Sequence, residues 1–266
     1  MSETVSLTAA QSVAVTAEKK RVWELDFLRG VLILLVIFDH FLSVTSEVFG
    51  GQDYGALTAF ARAYVVLPAR WVVIDFVRIL FVLAAGVSTQ FSRNNFRRGL
   101  EVLGVAGIMT GGTAMLKYTG VTPDLSIMWF GILHALGLYM LLTALLRKLK
   151  MPKWGYLAAA APLIIAGSLF LYFKVPLETN SAVLSVLFYN ARLDLAWTDF
   201  YPILPGLGWF LLGYFAGLKL YNEKKSLFPK LEGASWIKFM GRHTLFFYIV
   251  PSALLTGVFT LLKFLI

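Results

Sequence analysis

Long apolar runs alternate along this chain with short connections that hold most of its charge. Seven runs are long enough to cross a bilayer as helices of about 20 residues. They are 27–47, 71–92, 99–117, 126–147, 154–174, 201–221 and 243–265. The connections RNNFRR (93–98), RKLKMPK (147–153) and NEKKSLFPKLEG (222–233) are basic or polar. Those at 48–70 and 175–200 are longer, with aromatic residues and only a few charges. The pattern predicts an all-α, polytopic integral membrane bundle of about seven transmembrane helices, built as one domain over 21–266. Residues 1–20 are polar, small and free of aromatic side chains, and read as a mobile tail rather than a secretory signal.

Composition sharpens this picture. Of the 266 residues, 58% are hydrophobic and 15% charged, against roughly 45–50% and about 25% in soluble domains. A soluble enzyme is therefore excluded. With no cysteine in the chain, disulfides and thiolate chemistry are excluded too. The net charge of +9 is divided among short clusters between apolar runs, which fits membrane topology and not a nucleic-acid face. With the N-terminus cytoplasmic, seventeen Lys and Arg fall on the inner side and seven on the outer side or within spans. That asymmetry predicts an N-in, C-out chain.

Ionisable groups inside spans are costly and mark functional interiors. The first run carries Asp26, Arg29, Asp39 and His40. Arg29 and His40 are eleven residues apart, which puts them on one helical face about 16 Å apart along the axis. The second run carries Asp75 and Arg78, spaced to pair; the fourth carries His134; Asp199 and Tyr201 mark the outer entry of the sixth. His40, Arg78 and His134 lie at a similar depth, so the pattern predicts that these groups converge. Each has a bland alternative: a structural hydrogen bond, a buried pair or a headgroup anchor. His40 stands apart because it is deep, shares a face with Arg29 and is a histidine, the residue type best suited to give and take protons at physiological pH. The three histidines lack the i, i+4 spacing of helical zinc sites, so no metal is expected. Gly107–Gly111 and Gly213–Gly217 have a spacing that lets membrane helices pack closely.

The stretch RVWELDFLRGVLILLVIFDHF, with Arg29 followed after ten residues by His40, resembles the first helix of the transmembrane acyltransferase superfamily. FVRILFVLAAGVS (76–88), FGILHALGLYMLL (130–142), DFYPILPGLGWFLLGYFAG (199–217) and FMGRHTLFFYIV (239–250) resemble bacterial proteins similar to the catalytic domain of heparan-alpha-glucosaminide N-acetyltransferase. The chain departs from that pattern at Pro251 and Ser252, where family members often carry His-Gln. The resemblance implies a plasma-membrane enzyme that moves an acyl group, usually acetyl from acetyl-CoA, to an amino or hydroxyl group of a glycan or glycolipid.

On this reading His40 is the candidate base or nucleophile, with His134 assisting proton transfer and Arg78 steadying the oxyanion. Asp39, Asp75, Asp199 and Tyr201 are the candidates for holding the acceptor. Arg29, Arg93, Arg97, Arg98, Arg242 and His243 sit where an inner-side acyl-CoA would place its phosphates. Membrane lipid and the acceptor are the expected partners, and a homodimer is left open. A small-solute or proton-coupled transporter, using the same charges as a relay, is the alternative; the absence of internal repeats counts against it.

Overall fold

The computed structural model describes residues 22–49, 55–121, 127–172, 186–188, 200–221, 224–229, 231 and 233–265. The expected mobile tail at 1–20 and Asp199 lie outside the described residues. Among the described residues nine helices follow one another: α1 (Trp23–Phe49), α2 (Ala56–Val65), α3 (Pro68–Thr89), α4 (Asn95–Tyr118), α5 (Ile132–Lys148), α6 (Lys153–Tyr172), α7 (Ile203–Leu220), α8 (Ser235–Arg242) and α9 (Thr244–Leu265). No strand forms among them; an isolated β-bridge joins Gly131 to Phe200. The chain is an all-helical membrane bundle, and each of the seven apolar runs contains a helix.

Five helices, α1, α3, α4, α6 and α7, are long and apolar enough to cross a membrane by length and composition. Of the other two runs, α5 is a shorter helix of 17 residues, and α9 runs for 22 residues from Thr244 to Leu265. α2 and α8 arise inside segments that patterning leaves as connections. Boundaries move as well. Pro68 starts α3 in the first turn, where its missing N–H costs nothing. Asn94 caps α4 by accepting the Arg97 N–H at 2.9 Å, which draws residues 95–98, including the charged Arg97 and Arg98, into the helix.

Apolar attraction between helices is weak in lipid, so close packing and small residues must hold the bundle together. α3 and α7 cross where a Cβ on Gly86 would strike the Phe210 carbonyl and one on Gly213 the Leu83 carbonyl. One turn on, a Cβ on Gly217 would lie 2.9 Å from the Val87 carbonyl. Gly213–Gly217 is thus a close crossing. Gly107 and Gly111, which share that spacing, face open space on the exposed side of α4. At the other end, Gly30 of α1 and Gly241 of α8 admit each other's backbones in the same way. Ile33, Val82, Tyr139 and Phe210 fill the centre, fully buried, and fix α1, α3, α5 and α7 around it.

Candidate active site

A cavity of about 350 Å³ lies between the C-terminal half of α1 and the N-terminal half of α3. His40, Asp39, Tyr64, Arg70, Arg78 and Tyr248 supply its polar lining; Leu35, Val36, Val73, Ile74 and Val77 are among its apolar walls. His40 Nδ1 lies 2.9 Å from the Val36 carbonyl, one turn back on the same helix. A carbonyl only accepts, so Nδ1 carries the hydrogen and donates it. In the neutral ring Nε2 then keeps the lone pair. The Tyr248 ring stands edge-on to the imidazole at 6.5 Å between centroids and restricts its tilt.

One end of the cavity is tied by Asp39, the neighbour of His40 in sequence. Arg70 grips Asp39 with two parallel hydrogen bonds, Nε to Oδ1 at 2.7 Å and an amino nitrogen to Oδ2 at 3.1 Å. The same nitrogen donates to Ser43 Oγ at 2.8 Å, and Tyr64 donates its hydroxyl proton to Asp39 at 3.0 Å. The guanidinium also lies over the rings of Trp71 and Tyr64, at 4.7 and 5.5 Å. Burial, and then the Asp39 carboxylate it serves, push the Tyr64 hydroxyl above its ordinary range, so it remains a donor. Arg70 and Tyr64 escape a reading of the sequence because they fall in the first turn of α3 and in α2, both assigned there to a connection.

The expected convergence is met in part. His40 and Arg78 share the cavity, and Arg78 reaches Asp75 at 3.4 Å as the three-residue spacing predicts. Asp75 itself, with two-thirds of its side chain exposed, is not among the lining residues. His134 is elsewhere engaged. α5 begins at Ile132, so His134 is its third residue: Nδ1 accepts the Gly131 N–H at 3.2 Å, and Nε2 meets Thr110 Oγ1 at 3.2 Å. Thr110 hands its own proton to the Met128 carbonyl at 2.5 Å. Both ring nitrogens are occupied in holding the start of α5 against α4. Tyr201 donates its N–H to the Phe130 carbonyl and packs near Tyr139 and Gly206, away from His40.

Three of the six residues expected to bind the donor gather near the start of α1. Asp26 Oδ1 lies 3.6 Å from Arg29, and Oδ2 lies 3.4 Å from Arg242 across the α1–α8 crossing. Arg98, exposed near the start of α4, faces Arg29 closely enough for the like charges to repel. Asn95, one turn before Arg98 on α4, is buried, and both atoms of its side-chain amide lack a hydrogen-bond partner. Asn95 has no signature in sequence; its orphaned amide emerges only from the packing. Arg97 turns instead to Glu101 at 2.9 Å, fully in solvent reach. Arg93 is exposed, and His243 caps α8 by donating its N–H to the Phe239 and Met240 carbonyls. Among the described residues no group of three or more His, Asp or Glu gathers as a metal site would require.

No curated protein and no solved structure matches the chain. The family model described as heparan-alpha-glucosaminide N-acetyltransferase, catalytic, matches residues 21–252, nearly all of the chain and all of the site just described, and the protein belongs to that family.

Proposed function

We propose that this membrane protein transfers an acyl group, acetyl from acetyl-CoA, to an amino or hydroxyl group of a glycan or glycolipid, with His40 as the proton-transfer group. The observation that carries this reading is the imidazole of His40. Its Nδ1–H is committed to the Val36 carbonyl, so Nε2 holds the lone pair in an apolar cavity. Nε2 removes the acceptor proton as the acceptor atom bonds to the thioester carbon, the C–S bond breaks, and the proton passes on to the leaving thiolate. Arg78, across the cavity, is the cation suited to the oxyanion. His134 keeps the supporting place its hydrogen bonds give it.

The donor fits the inner end. Arg29, Arg98 and Arg242 have the charge for phosphates, and the orphaned Asn95 amide can give and take hydrogen bonds there. With the N-terminus inside, the stripe from Arg29 to His40 spans about 16 Å, similar in scale to a pantetheine arm. His40→Gln should lower acetyl transfer at least about a hundredfold while the protein still inserts and binds acetyl-CoA. Turnover of labelled acetyl-CoA by reconstituted protein reads this directly. Near-normal transfer by the variant moves catalysis away from His40, and failure of the wild type to bind acetyl-CoA favours a transporter.

A further inference from the structure

The outer mouth of the His40 cavity is tied shut, and its side is open. Asp39, Arg70 and Tyr64 bridge α1, α2 and α3 above His40. Leu35 and Phe38 of α1, lining the same cavity, are 42% and 49% exposed, on the face a bundle helix turns to lipid.

Next to that opening runs a second hollow of about 590 Å³ between α1 and α9. Leu34, Ile37, Phe41, Leu254 and Val258 wall it, with Pro251 where α9 carries its proline. Every lining residue is apolar. Phe38 lines both hollows. Positions 34, 37, 38 and 41 form one stripe of a helix, and 35 and 39 lie on the adjoining face, so groove and cavity continue into each other around α1. The Phe38 ring stands between them, edge-on to Tyr64 at 5.7 Å. One end of the combined space is polar and holds the imidazole; the other offers only hydrocarbon contact. That is the outline of an amphiphile with a polar head and a long chain.

We propose that the acceptor is a lipid-linked sugar that enters sideways from the bilayer. Its hydrocarbon chain lies in the α1–α9 groove and its sugar reaches His40 past Phe38. The proposal rests on the acyltransfer reading for its chemistry, but the groove can be tested by itself.

The probe is a long-chain alkyl glucosaminide with a diazirine at the far end of the chain, photolysed in nanodiscs holding the purified full-length protein. A phosphatidylcholine with the same diazirine tail is the comparison. The glycoside should label residues of the groove, such as Phe41 and Leu254, at least fivefold more than the phospholipid does. Leu34→Trp, and Val258→Trp from the opposite wall, should each reduce that labelling about fivefold, whereas Ile108→Trp on the outward face of α4 should not. Equal labelling by the phospholipid, labels spread over other lipid-facing helices, or undiminished labelling in both groove variants would overturn the proposal. Failure of the two levels is separable. Groove labelling without acetyl transfer to any acceptor would sink the transferase and keep the lipid site. Transfer to methyl glucosaminide as fast as to the alkyl form, without groove labelling, would keep the transferase and sink the lipid-linked acceptor.

Discussion

Two aspartates of α1 each face arginine, and they solve the problem of a charge in a membrane differently. Midway along the helix Asp39 and Arg70 match one to one, with a bidentate grip as short as 2.7 Å and a tyrosine completing the carboxylate. Near its start Asp26 is shared by Arg29 and Arg242 at 3.6 and 3.4 Å, with Arg98 close by. The first is a neutral, saturated bridge. The second has more positive charge than its carboxylate can satisfy, and the excess faces the side where the basic loops cluster. The difference separates a matched bridge, which ties helices together, from a cluster whose net charge is positive.

That contrast is open to attack at both ends. Asp39→Asn should be the most damaging change to stability, because it leaves the Arg70 guanidinium largely buried without its counter-charge. A loss of about 3 kcal/mol is expected, and thermal unfolding in detergent should recover much of it when Arg70→Gln is added. If Asp39→Asn unfolds like the wild type, the Asp39–Arg70 bridge is not a tie. Near the start of α1, Arg29→Gln should leave unfolding nearly unchanged and raise the KM for acetyl-CoA about tenfold, equivalent to about 1.4 kcal/mol. A fall in kcat alone would place Arg29 outside donor binding.

Asn95→Leu sharpens the contrast further. Removing a buried amide that has no partner should stabilise the free protein by about 1 kcal/mol and weaken the thermal shift that acetyl-CoA produces. Stabilisation with an unchanged donor shift would make the orphaned amide irrelevant to binding. The smallest effect is expected from Tyr64→Phe, about 1 kcal/mol for one hydrogen bond. Its sign follows from titration. Burial beside Asp39 favours the neutral phenol in the folded state, so the contribution is present below the ordinary tyrosine range and fades as pH rises through the higher folded value. Wild type and Tyr64→Phe should therefore converge in stability at high alkaline pH.

The spans were legible because apolar length is a direct physical requirement of the bilayer. The shorter helices were not. α2 (ALTAFARAYV) and α8 (SWIKFMGR) have ten and eight residues and mix aromatic with basic side chains, so composition alone cannot tell them from connections. Their roles are tertiary: α2 delivers Tyr64 to Asp39, and α8 delivers Arg242 to Asp26. His134 shows how a boundary governs a role. An apolar run counted from residue 126 puts this histidine eight residues deep, whereas the helix that forms starts at Ile132 and makes it a capping residue. The Arg29–His40 spacing survived intact, since both lie inside one uninterrupted helix and need no knowledge of its ends. Phe38 and Asn95 were beyond reach of sequence because each matters through what its neighbours leave empty or unsatisfied.

Because Arg29 and the His40 imidazole ride on one unbroken helix, α1 acts as a ruler with fixed graduations in both length and angle. Adding one residue between Arg29 and His40 would advance the separation by only about 1.5 Å but swing the imidazole about 100° from the stripe. Adding seven would return it to within about 20° of its bearing while lengthening the interval by about 10 Å. The two errors are thus distinct, one of bearing and one of reach. A donor with a longer arm would compensate for the second and never for the first.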